Sequence, residues 1–249
     1  MIFLMWESHG CLPITIRDRD MTKASIIINS YKNNPDYLRQ SIKSCLEQDG
    51  VDIRLIISTV KGDSAIEIAK SISNKIIIVK SAKPGIYEQL NKALAAVNGD
   101  WFAYFSGNDI ALSTKIADEI KLCGDEKSVC YSVFHVTDAN LKAKSMAMSM
   151  DYNYVQHLKR NYVSDVALVR RDVLARYGPF RLKYGNHAYW DFWLRIAEGE
   201  GEKAFVRNTK PEWLYRETLS SQHVVRKGKK SLQKKNKDLR IKMLRDHTK

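Results

Sequence analysis

Short runs of β-branched residues alternate along this chain with longer stretches in which apolar residues return every third or fourth position. "ASIIINSY" predicts a buried strand ending near Asn29. "NPDYLRQSIKSCLEQ" follows, with Asn34 as N-cap, Pro35 at the first helical position, and Leu38, Ile42, Cys45 and Leu46 at helical spacing. "VDIRLIIST" and "SAIEIAKSI" repeat the strand–helix pair, and "KIIIVKS" and "GIYEQLNKALAAV" repeat it again. In the third helix Ile86, Leu90, Ala93, Leu94 and Val97 share one face, and the strand Trp101–Phe105 follows. Strands separated by helices imply right-handed parallel crossovers and a sheet covered on both faces. The expected class is α/β, a Rossmann-like, mostly parallel central sheet flanked by helices.

Beyond residue 112 the order loosens. A helix is expected at "STKIADEIKLC", a strand at "SVCYSVFHVTD", a helix with a Gly-Pro stop in "RRDVLARYGPF", and a helix around "YWDFWLRIA". In the last, Trp190, Trp193, Leu194 and Ala197 are spaced as a core face. Residues 1–20 hold no sustained period and Met21 stands just before the regular structure, so they read as a loose extension or the product of an upstream start codon. The division is an extension over 1–22, a nucleotide-binding half over 23–112, an acceptor half of the same domain over 113–225, and a basic tail over 226–249.

Charge sharpens that last boundary. The 249 residues carry a formal +13, but from Arg226 onward eleven Lys or Arg face only Asp238 and Asp246. The expected reading is a solvated tail, with an anionic membrane surface as its candidate partner. Nucleic acid is disfavoured because no aromatics interleave the basic residues. No apolar run is long enough to cross a bilayer, "MIFLMW" lacks a signal peptide's basic start, and Cys11, Cys45, Cys123 and Cys130 show no paired metal spacing. A reducing, cytoplasmic setting is expected, peripheral to the membrane at most.

The chemistry gathers at "DWFAYFSGND", where a buried strand delivers Asp109 at its end. Open α/β sheets bind ligands at the carboxyl ends of their strands. Neither a G-x-G-x-x-G after the first strand nor a P-loop is present, so a bound diphosphate would need a cation held by carboxylate instead. "ASIIINSYKNNPDYLRQSIKSCLEQ", "KPGIYEQLNKALAAVNGDWFAYFSGND" and "YWDFWLRIAEGEGEKAF…PEWLYR" together resemble the family 2 glycosyltransferases of the GT-A fold, from about Ala24 to Ser221. The resemblance implies transfer of a sugar from a nucleotide-diphosphate sugar, most often a uridine one, to the hydroxyl of a glycan or lipid-linked acceptor. It also implies inversion, a divalent cation (Mn²⁺ or Mg²⁺) and a place in surface polysaccharide or glycan synthesis.

Residue by residue, the resemblance makes Asp109 the metal ligand, with Asn108 beside it where the family has paired acids. Ser30 and Tyr31 stand where the nucleotide base packs, and Thr59, with Ser58, where the second strand usually ends in an acid. Tyr87 and Asn91, four apart on one helix face, are placed near the donor. Asp63 in "GDS" is expected to cap the second helix rather than read the base. The family's usual acidic pair falls on Ala188 and Tyr189, which leaves Asp191 as the expected general base. Its rival role is an i, i+4 pair with Arg195. These departures keep two alternatives open, a GT-A-fold binding or scaffold protein without turnover and, behind it, a nucleic-acid binder through the tail.

Overall fold

The computed structural model describes residues 21–218 and 230–248. Residues 1–20, Cys11 among them, lie outside the described residues, as do 219–229. The expected alternation is present: β1 (Lys23–Asn29), α1 (Pro35–Leu46), β2 (Asp52–Val60), α2 (Ala65–Ile72), β3 (Ile77–Ser81), α3 (Ile86–Leu94) and β4 (Trp101–Ser106). Local chemistry explains the boundaries. Asn34 caps α1 by accepting the Asp36 and Tyr37 N–H groups at 2.9 and 3.2 Å, and Pro35 opens the helix where no N–H partner is needed. β1 reads as continuous isoleucine because it is covered on both sides. Ile26 and Ile28 face α1 and α2, and Ile27 faces α3. Each is fully buried, worth roughly 1.5–3 kcal/mol relative to exposure.

β1, β2, β3 and β4 pair in parallel, with Ile27 opposite Ile56 on one side and Tyr104 on the other. The second half continues with β5 (Ile110–Ala111), α4 (Lys115–Cys123), β6 (Val129–Ser132), β7 (Phe134–Thr137), β8 (Ala143–Ala147), α5 (Tyr154–Lys159), β9 (Leu168–Arg170) and α6 (Asp172–Tyr177). Then come α7 (Ala188–Glu200), β10 (Phe205–Asn208), β11 (Trp213–Arg216) and α8 (Lys230–His247). The main sheet has seven strands in the order β10-β6-β9-β4-β1-β2-β3, and β9 runs antiparallel to both its neighbours. A smaller sheet, β5-β11-β7-β8, stands beside it.

Two expectations from the second half change. "SVCYSVFHVTD" is not one strand: β6 ends at Ser132 and β7 begins at Phe134, so the chain passes between sheets at the buried Val133. The stretch preceding α6 holds the strand β9, too short to leave a periodic signal.

The larger correction concerns the basic tail. Residues 230–247 form α8, which packs on the body. Met243 is fully buried against Tyr184, Trp190 and Leu194, and the Arg240 guanidinium lies 5.3 Å from the Trp190 ring. Asp246 accepts hydrogen bonds from the Tyr184 hydroxyl at 2.5 Å and the Lys183 ammonium at 3.0 Å. His247 bridges Glu198 at 2.7 Å and Asp191 at 3.0 Å, both on α7. Asp191 is thereby closed off. It is 0% exposed, with one oxygen on Arg195 Nε at 3.0 Å and the other on His247 and, at 3.4 Å, Arg181. The expected base is therefore a buried counter-ion, and the i, i+4 pair with Arg195 is its observed partner.

Two substitutions test this docking by calorimetry. Met243→Ala should cost about 2–5 kcal/mol if α8 packs in solution as described. Asp191→Asn should cost about 3–5 kcal/mol by leaving Arg195 buried without its partner. An unchanged melting temperature for both variants would return the segment to a free tail.

Candidate active site

The carboxyl ends of β1, β2 and β4 meet at one edge of the main sheet. After β1 the chain turns through Ser30–Asn34, and this turn is bound at several points. Ser30 is buried; its N–H donates to the Ser58 carbonyl at 2.9 Å and its hydroxyl to Asn33 Oδ1 at 2.9 Å. The Tyr31 N–H donates to the same oxygen at 3.0 Å, while the Tyr31 ring stays 42% exposed and open to a planar ligand. Lys32 takes a left-handed φ of 52°, unusual without glycine, and its N–H is held by Asp63 at 2.8 Å. Asp63 also accepts the Ala65 N–H at 2.9 Å, so it caps α2 as expected and fixes the β1 turn as well.

Asn33 joins this turn to the end of β4. Its amide donates to Asn108 Oδ1 at 2.8 Å, and Gly107 leaves it room, since an added Cβ would meet Asn33 Cγ at 3.0 Å. Asn108 thus aligns two loops across the cleft. Asn33 was passed over in the sequence because an asparagine in "YKNNPD" reads first as turn and cap chemistry.

Asp109 lies at the centre of this edge, 3% exposed. One carboxylate oxygen accepts the Arg216 N–H at 3.1 Å, and the other accepts no hydrogen bond among the described residues. Burial pushes the carboxyl up to about 7, against the Arg216 N–H and guanidinium, which lower it. Arg216 comes from the small sheet: β5, directly after Asp109, pairs Ile110 with Leu214 of β11. Its guanidinium reaches Gln40 at 2.5 Å and the Ala139 carbonyl at 3.2 Å and lies 4.1 Å from the Tyr37 ring centre. Nothing in the sequence pattern pointed to Arg216, because its partners lie at sequence separations of 77 to 176.

Among the described residues no group of three or more His, Cys, Asp or Glu stands ready for a metal. One carboxylate with an unbonded oxygen still suits Mg²⁺ or Mn²⁺, which take one or two carboxylates and fill the remaining positions with phosphate oxygens and water. A fully caged site would need more acids than this edge holds.

Three of the expected donor residues are buried or engaged elsewhere. Thr59 is 0% exposed, its hydroxyl without a hydrogen-bond partner among the described residues, and neighbouring Ser58, on the opposite face of β2, gives its hydroxyl to the Gln89 carbonyl of α3 at 2.8 Å. Neither faces the cleft, because β2 is covered to its last residue. Asn91 spends its whole amide on Phe180, donating to the carbonyl and accepting the N–H, both at 2.9 Å. Phe180 follows Pro179 outside regular structure, so its backbone needs such a partner. Tyr87 is largely buried; its hydroxyl reaches the Asn186 carbonyl at 3.3 Å and its ring packs on Tyr189 at 5.7 Å. Tyr87 and Asn91 share a face, as the spacing predicts, and that face holds the segment leading into α7.

Tyr189 itself, in the first turn of α7, is 3% exposed, and its hydroxyl has no partner among the described residues. The cleft therefore brings together Ser30, Tyr31, Asn33, Asn108, Asp109 and Arg216. Thr59, Asn91 and Asp191 stay outside it.

Known proteins share this fold. The fold matches Staphylococcus aureus TarS (residues 1–349, in complex with UDP) with a TM-score of 0.63 at 13% identity, over 80% of this chain and 61% of that one. The present chain thus spans less than two thirds of that relative. It also matches the glucosyl-3-phosphoglycerate synthase of Mycobacterium tuberculosis, solved with Mn²⁺, UDP and phosphoglyceric acid, with a TM-score of 0.63 at 13% identity, over 90% of this chain and 78% of that one. These likenesses identify the fold as GT-A. In sequence, the chain is 21% identical over 198 residues to the uncharacterized glycosyltransferase MJ1057 of Methanocaldococcus jannaschii, covering 74% of this chain and 68% of the relative. The family model described as glycosyl transferase family 2 matches residues 25–178, more than half of the chain and including the carboxyl ends of β1, β2 and β4, and the protein belongs to that family.

Proposed function

We propose that this protein transfers a sugar, with inversion, from a uridine-diphosphate sugar to a hydroxyl of a glycan or lipid-linked acceptor. The observation that carries the reading is Asp109, an ionisable carboxylate with one unbonded oxygen at the carboxyl end of a central strand. A uridine donor and a divalent cation are supported by the two solved relatives, one holding UDP and the other UDP with Mn²⁺. When bound, such a cation neutralises charge developing on the departing diphosphate. Asp109 would hold it, Arg216 keeps a positive charge beside that carboxylate, and the exposed Tyr31 ring offers a stacking face to the base. Ser30, Asn33 and Asn108 keep the two loops in register.

The setting we infer is the cytoplasmic membrane face, in surface polysaccharide or glycan synthesis. No helix among the described residues is long and apolar enough to cross a membrane. α8 turns Lys234, Lys235, Lys237, Lys242 and Arg245 outward around Ile241, which is 40% exposed. Docked as it is, this face presents fixed cations to an anionic surface, each worth about 1 kcal/mol near it. The second reading, a binding protein without turnover, draws on Ala188 and Tyr189 standing where the family pattern has acids.

UDP should raise the melting temperature with Mn²⁺ present and far less in EDTA. Equal stabilisation in EDTA would remove the cation, and no response to UDP, GDP or dTDP would favour the binding protein. The Mn²⁺-dependent part should weaken roughly tenfold per pH unit below about 7, where Asp109 takes up its proton.

The same carboxyl has a stability signature. Its folded pKa is raised, so its favourable contribution is complete below the unfolded value near 3.8 and is lost as pH rises through about 7. Asp109→Asn should therefore gain stability over the wild type as pH goes from 5 to 8, on the order of a few kcal/mol. A pH-independent difference would contradict it. Replacing Lys234, Lys235 and Lys242 by Glu should reduce sedimentation with phosphatidylserine vesicles while leaving the melting temperature within a degree or two. Undiminished sedimentation would exclude this face.

A further inference from the structure

With Asp191 sealed beneath α8, the first turn of α7 offers the cleft no accessible carboxylate. An exposed acid does stand at the same edge. Asp165 sits in the turn Ser164–Ala167, which is closed by the Ala167 N–H on the Ser164 carbonyl at 3.2 Å and the Val166 N–H on the Ser164 hydroxyl at 3.1 Å. That turn feeds directly into β9, which runs antiparallel to β4 with Leu168 opposite Ala103. The turn therefore lies at the carboxyl end of β4, the end that also carries Asp109.

Its flanks fix which side it takes. Val163 and Ala167, two residues to either side, are each 2% exposed in the apolar layer beneath α7, together with Tyr104 and Tyr189. The Tyr104 and Tyr189 rings are 5.6 Å apart. Burial, then the charge of Asp165, then that of Asp109 raise the Tyr104 phenol. Asp165 acts in the same direction on Tyr189, after burial and Tyr104. Tyr104 is thus within reach of both carboxylates and remains neutral, as does Tyr189. Of these acids, only Asp165 is exposed.

We propose that Asp165 is the general base of the transfer, taking the proton of the acceptor hydroxyl across Tyr104 from Asp109. This assignment rests on the inverting transfer proposed above. In the step, the acceptor O–H proton passes to the Asp165 carboxylate and the acceptor oxygen bonds to the anomeric carbon. The bond from that carbon to the diphosphate oxygen breaks, and its electron pair leaves with the nucleoside diphosphate at the Asp109 end. Tyr189, in the register of the family's acid, provides an uncharged floor instead.

The test uses the full chain with Mn²⁺ and UDP-glucose or UDP-N-acetylglucosamine, water serving as acceptor, and reads UDP release. Asp165→Asn should slow release by roughly 10²-fold or more, with Asp165→Glu recovering part of the rate. UDP affinity in Mn²⁺ should stay near wild type, and Asp165→Asn should keep a cooperative melting transition, so that lost rate is not lost structure. Asp151→Asn, an exposed acid whose side chain is 86% accessible, should leave the rate unchanged. Release by Asp165→Asn within about threefold of wild type would place the base elsewhere. A matching loss of UDP affinity would make Asp165 a donor contact and overturn the assignment. If the wild type releases no UDP from either donor, the transferase reading falls, and the assignment with it.

Discussion

A carboxylate taken out of water must be offset by something fixed nearby, or it stays protonated. Asp109 meets that condition in part. The Arg216 N–H and guanidinium draw its carboxyl down while burial drives it up, and the two leave it near 7. Much of the second half of the fold can be understood from this balance. β5 begins one residue after Asp109 and pairs with β11, so the small sheet delivers Arg216 to the carboxylate. Tyr37 and Gln40 on α1 then hold the guanidinium from the other side, tying the two sheets together at the cleft.

The same logic explains why Asp191 and Asp165 behave differently. Asp191 is ringed by Arg181, Arg195 and His247, which makes it a joint between α7 and α8. Removing it leaves the buried Arg195 without its carboxylate partner, so its role is mechanical. Asp165 is exposed on the short turn that leads into β9. A helix that reads as a solvated basic tail is therefore what shuts one candidate away and leaves the other accessible.

The parallel core was legible in the sequence because its signals are local: isoleucine runs, helical spacing, and the Asn34-Pro35 start of α1 all reappear in place. Asp109 at a strand end was legible for the same reason. What failed was long-range. Asn91 looked like a ligand contact because nothing local shows that the Phe180 backbone lacks partners. Thr59 looked accessible because strand patterning does not show how far a covering helix extends. The tail looked free because charge dominates its composition, while its docking depends on Met243 and His247 meeting residues some 50 positions earlier. Arg216 and Asp165 depend on strand pairings that no periodicity reports.

The central claim is that Asp109 is a desolvated carboxylate poised between its protonated and charged forms at the edge where we propose the nucleotide binds. Its side-chain carboxyl ¹³C resonance, assigned by comparison with Asp109→Asn, reports this directly as pH is varied. The account predicts a midpoint near 7 in the free protein, moving down by a unit or more when Mg²⁺ and UDP are added together. A midpoint close to the ordinary value of about 3.9, unmoved by Mg²⁺ and UDP, would contradict it.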